Sequence, residues 1–145
     1  MKKFLLLASS ALIFSLSASA EQSSISDPSQ ITAAKISEMC SKMKPARYSE
    51  NEEGKVIRKG CNFKDGVYTI IYQVSGKNEY LKSLEESGIR NQNARNGDPE
   101  EFKKYCTSYA WLVNAPQVAR RIAVEYQDTA GKVLASKYID TRDCR

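Results

Sequence analysis

Four cysteines, Cys40, Cys61, Cys106 and Cys144, constrain this chain more than any other feature. They stand 21, 45 and 38 residues apart, and the chain contains no histidine. Zinc fingers and ribbons pair close ligands, so this spacing argues against a metal site. An even cysteine set in an exported chain reads as two disulfides. Cys144 lies one residue before Arg145, where a chain end frays unless it is tied down. A bond from Cys144 therefore staples the final segment. Spacing leaves the connectivity open. The favoured pairs are Cys40–Cys61 and Cys106–Cys144, each tying a helix to a nearby strand or strand end. Cys40–Cys106 with Cys61–Cys144 is the alternative.

Disulfides need an oxidising compartment, and the first residues supply a route to one. In MKKFLLLASSALIFSLSASA, Lys2 and Lys3 precede a mostly apolar run over residues 4–16, and Ala18 and Ala20 form an A-x-A site. This pattern predicts a signal peptide over residues 1–20, cleaved near Ala20. The apolar run is too short to span a bilayer and serine interrupts it. The expected mature chain is residues 21–145, a single domain without an integral membrane segment, in the bacterial periplasm or secreted beyond it. Loss of Lys2 and Lys3 lowers the formal net charge from +5 to +3. So mild a balance, with no basic block, predicts no nucleic-acid partner.

Periodicity places the elements. Asp27-Pro28-Ser29-Gln30 has the chemistry of a capped helix start. Ile36, Met39, Cys40 and Met43 follow at helical spacing, and Pro45 ends that helix. Residues 47–55 are polar and read as a connector. Residues 56–62 predict a short strand, Asp65-Gly66 a hairpin turn, and residues 67–74 (VYTIIYQV) the strongest strand, with Tyr68, Ile70, Tyr72 and Val74 on one face. Residues 79–95 read as a helix weakened by Gly88. Asp98-Pro99 opens another helix, whose stripe is Phe102, Tyr105, Cys106, Tyr109, Leu112 and Val113. Residues 118–126 and 132–139 predict a hairpin turning at residues 128–131. The order α, β-β, α-α, β-β predicts an α+β fold: an antiparallel sheet of about four strands, with three helices packed on one face.

Without histidine, Ser-His-Asp and Cys-His catalysis and a histidine general base are impossible. Oxidised cysteines offer no thiolate. There is no G-x-S-x-G, P-loop or dinucleotide fingerprint. Glu85-Glu86 and Glu100-Glu101 sit on predicted helices, where adjacent side chains do not face each other. No catalytic residue, cofactor or metal ligand is assigned, which favours a non-enzymatic protein. Aromatic content leans to tyrosine, with eight Tyr and one Trp. Trp111 falls off the main stripe of its helix. These aromatics most simply line the rim of a small core; if Trp111 is exposed, Tyr105, Tyr109 and Trp111 form the candidate partner patch. Alternation sends Arg120 and Arg121 to opposite faces, where one can hold an acidic group.

The leader, the cysteine-bearing first helix, the capped helix DPEEFKKYCTSYAWLV, the hairpin AVEYQDTAGKVLASKYI and the terminal cysteine together resemble the quorum-sensing-regulated virulence factor family of small secreted α/β proteins. In outline the chain is also similar to pilotins of type II secretion, although the lipid-attachment cysteine usual there is missing. The resemblance implies a virulence-associated protein of the Gram-negative envelope or secretome. No functional residue carries over from it. The expected function is binding of another protein. The alternatives are an inhibitor or immunity protein against a secreted enzyme, and a histidine-free enzyme using carboxylates or lysine.

Overall fold

A computed structural model describes residues 28–145. The expected signal peptide and the Asp27 cap lie outside the described residues. A 3-10 turn over Pro28–Gln30 leads into α1 (Ala33–Lys42), capped by Thr32, whose side chain accepts a hydrogen bond from the Lys35 amide at 3.1 Å. The helix starts here because a hydroxyl can satisfy one of its unpaired N–H groups. Then come β1 (Ala46–Glu50), β2 (Gly54–Lys64), β3 (Val67–Gly76), α2 (Asn78–Glu86) and the two-residue β4 (Gln92–Asn93). The chain continues through α3 (Pro99–Ser108), α4 (Ala110–Val113), β5 (Arg121–Gln127) and β6 (Val133–Asp140), and ends in a 3-10 turn over Thr141–Cys144.

The six strands form one sheet in the order β1-β2-β3-β5-β6-β4. The expected α+β class holds, but the sheet is mixed and not a four-stranded antiparallel one, and there are four helices among the described residues, not three. Antiparallel hairpins join β1 to β2, β2 to β3 and β5 to β6. At the centre β3 and β5 run parallel, and so do β4 and β6 at one edge. Parallel pairing needs a long crossover, and residues 77–120, with three helices, provide it. Residues 47–55 were expected to be a connector, but most of β1 lies there. It is an exposed, charged edge strand, and such strands lack the apolar alternation of inner ones. A register slip between Arg47 and Ser49 lets Tyr48 lie 4.6 Å from the Tyr72 ring.

The expected helix over residues 79–95 stops at Glu86. Gly88 takes φ +72°, a left-handed conformation that ends helices at low cost when the residue is glycine. The chain then turns Ile89 into the core and lays Gln92 and Asn93 beside Lys137 and Tyr138. The helix at Asp98-Pro99 forms as its sequence predicts, with the Asp98 carboxylate accepting from the Glu100 amide at 3.0 Å. It breaks at Tyr109 (φ −109°, ψ 27°), which separates α3 from α4.

Cross-strand register places Tyr68, Ile70 and Tyr72 beside Ile122, Val124 and Tyr126 on one face. All six are buried. Tyr109 and Trp111 pack over Tyr68, with ring centroids 6.1 and 5.7 Å away. Cys61 stands opposite Ile70 on that face and bonds to Cys40, tethering α1 there. The second disulfide joins Cys106 of α3 to Cys144 of the last turn. No helix among the described residues is long and apolar enough to cross a membrane.

Candidate functional site

Arg120, held by the hairpin turn between β2 and β3, lines one wall of a cleft. Asp65 and Gly66 both have positive φ, 53° and 77°, which suits the tight hairpin turns that Asp-Gly favours. The Gly66 carbonyl accepts from the backbone amides of Arg120 at 2.8 Å and Arg121 at 3.2 Å. The Asp65 carbonyl accepts from Arg120 Nε at 3.0 Å. A β-carbon on Gly66 would stand 3.1 Å from Arg120 Cγ. Glycine therefore lets the Arg120 stem cross the turn closely.

The opposite wall is the last turn of the chain. The Thr141 amide donates to the Arg120 carbonyl at 3.0 Å, and the buried Thr141 hydroxyl donates to the Ala119 carbonyl at 2.8 Å. Cys144 bolts the same turn to α3. These backbone contacts hold Arg142 at a set place beside the start of β5. The cleft between the walls has a volume of about 340 Å³ and is lined by Pro116, Arg120, Arg121, Asp140, Thr141, Arg142 and Arg145.

Four arginines and one aspartate thus line the cleft. Asp140 accepts from Arg121 Nε at 2.8 Å, and the Arg121 guanidinium carbon lies 3.9 Å from the centre of the Tyr138 ring. Carboxylate and ring together fix Arg121, whose positive charge offsets that of Asp140. Among the described residues, Arg120, Arg142 and Arg145 have no carboxylate partner. Asp143 is engaged by Arg95 at 2.8 Å. The cleft therefore carries a surplus of positive charge on groups whose planar forks match carboxylates and phosphates.

A second polar cluster lies under the helices. Lys137 Nζ meets Glu101 Oε1 at 2.6 Å, with side chains 13% and 14% exposed. Burial pushes the Tyr105 phenol well above its ordinary range, with Tyr126 and Glu101 adding to the effect. Burial likewise raises the Tyr126 and Tyr72 phenols. These hydroxyls stay protonated across the physiological range and behave as core hydrogen-bonding groups.

The candidate patch needs correction. Tyr105, Tyr109 and Trp111 are 5%, 0% and 4% exposed, so they are core residues and present no surface to a partner. The kink at Tyr109 explains the difference, because it turns Trp111 from the flank of one continuous helix towards the sheet. Arg120 and Arg121 do line the cleft, with the Arg121 side chain held by Asp140. Arg142 and Arg145 were not singled out from sequence. The available signal was two arginines flanking a cysteine at the chain end, a cysteine that anchors whatever surrounds it.

No family model matches the chain, and no curated protein matches it. The family resemblance drawn from the layout therefore has no matching model behind it. Among solved structures, a "putative secreted protein" of Pseudomonas aeruginosa is similar at 14% identity, over 78% of this chain and 89% of that one, with a TM-score of 0.46.

Proposed function

We propose that the chain is an exported, disulfide-stabilised protein of the periplasm or secretome that acts without catalysis, by binding another protein. The arginine cleft is the observation that carries this reading. It gathers guanidinium groups from β5 and the terminal turn around one already neutralised carboxylate. Such a surface recognises acidic groups and steers an acidic partner into contact. Two disulfides fit an oxidising compartment. A virulence-associated role is one setting for such a protein.

The test compares two baits. Oxidised protein and its Arg142→Glu/Arg145→Glu variant are lightly crosslinked to envelope and culture-medium proteins, and the captured species are identified by mass spectrometry. One partner enriched by the first bait and lost with the second supports the reading. A partner captured equally by both removes the cleft from the function, and no enrichment with either removes the binding reading.

A further inference from the structure

We infer that the occupant of the cleft is an extended acidic segment of the partner, with two or three consecutive carboxylate side chains; this rests on the protein-binding reading above. Placement argues for an extended chain: the arginines stand on two separate elements, and an extended segment, advancing about 3.3 Å per residue, presents its side chains along a line.

Charge sets the composition. Arg121 and Asp140 neutralise each other, which leaves Arg120, Arg142 and Arg145. A single side-chain carboxylate leaves arginine in excess among these residues, and a second brings the cleft closer to neutrality. The three arginines come from two elements: Arg120 precedes β5, whereas Arg142 and Arg145 belong to the terminal turn and its end. A ligand with its charges spread along a chain reaches both walls. A compact anion with one charge centre does not need both.

The Arg120 fork is also set in advance. Its Nε is committed to the Asp65 carbonyl, and its terminal nitrogens make no hydrogen bond among the described residues. The guanidinium is oriented before any ligand arrives, which reduces the ordering cost of binding. Cation ligands are disfavoured, because arginines outnumber acidic side chains in the cleft and Asp140 is already paired.

The test is fluorescence anisotropy of the labelled pentapeptide Gly-Asp-Glu-Asp-Gly with the full oxidised protein. The control peptide is Gly-Asn-Gln-Asn-Gly. The acidic peptide is expected to bind at least tenfold more tightly than the control and to weaken as salt rises. Arg142→Glu/Arg145→Glu is expected to lose at least tenfold in affinity. Arg120→Gln keeps the wall in place and is expected to lose severalfold. Lys42→Glu, on α1 and not among the residues lining the cleft, serves as the charge control and should bind as the parent does. Far-ultraviolet circular dichroism confirms that each variant is folded.

Equal affinity for the two peptides, or unchanged affinity in both arginine variants, overturns the inference. So does inorganic phosphate binding at the cleft while the acidic peptide fails. If partner capture depends on Arg142 and Arg145 but the peptide does not bind, the extended-segment inference alone fails. If capture ignores those arginines, the parent reading fails with it.

Discussion

Removing the Cys106–Cys144 bond tests how much of the fold depends on the staple at its end. The bonded cysteines are 38 residues apart. The chain-entropy relation for a loop of that length gives about 3.9 kcal/mol of stabilisation at 25 °C. The same relation for the 21-residue separation of Cys40 and Cys61 gives about 3.3 kcal/mol. Cys106→Ala/Cys144→Ala should therefore cost slightly more than Cys40→Ala/Cys61→Ala. For a domain of this size the first loss corresponds to a Tm lower by roughly 12–16 °C. The assay is urea unfolding followed by Trp111 emission. Trp111 is the only tryptophan and is buried against Tyr68, so it reports global loss of the core. The midpoint should fall by about 2 M for an m-value near 2 kcal/mol/M. A loss below about 1 kcal/mol would refute the entropic reasoning, since the unfolded chain would then gain little freedom from the cut. A far larger loss for the Cys40–Cys61 variant would refute it equally, because loop length would no longer rank the two bonds.

Gly66→Ala should destabilise by about 1–2 kcal/mol, the cost of a left-handed residue with a β-carbon, and should weaken anion binding because the new methyl group crowds Arg120; paired thermal melts and peptide titrations would measure both. Lys137→Met leaves Glu101 largely buried without its partner and should cost about 3–5 kcal/mol, while Lys137→Met/Glu101→Leu should recover much of it; a double-mutant cycle in urea checks this. The Tyr72, Tyr105 and Tyr126 phenols are raised mainly by burial. Their contribution is fully present below the unfolded value near pH 10 and is lost as pH rises above it, because the unfolded chain then releases protons that the folded one keeps. Stability should fall by about 4 kcal/mol per pH unit once all three titrate in the unfolded state, so equilibrium unfolding between pH 10 and 12 should show a steep alkaline limb. A flat profile there would mean that the phenols ionise within the fold.

Local rules made some parts of the molecule legible and left others hidden. The alternation of residues 67–74 identified β3 and its buried face, because both depend only on side chains one strand apart. Asp98-Pro99 and Asp65-Gly66 were equally readable, since capping and tight turns are written in two or three neighbouring residues. β1 escaped because an edge strand needs no apolar face, and β4 because two residues carry no period. The parallel contact of β3 with β5 depends on where the crossover lands, which hairpin signals do not encode. The same holds for the cleft. Arg120-Arg121 drew notice as a pair, but Arg142 and Arg145 join them only through the turn at Asp65-Gly66 and the bond at Cys144. Trp111 lies off the stripe of a continuous helix yet is buried, because the kink at Tyr109 overrides the helical wheel.

Both disulfides join cysteines that are consecutive along the chain, and neither crosses the central β3–β5 ladder. In the export proposed above, a polypeptide threaded from its N-terminal end would present Cys40 and Cys61 before Cys106 appears. An oxidase that couples thiols in order of arrival would then make this pairing without rearrangement. The first bond closes within the segment ending at β3, and the second closes around the β5–β6 hairpin. Oxidation thus prepares two separate covalent loops, and joining them is left to the non-covalent pairing of β3 with β5.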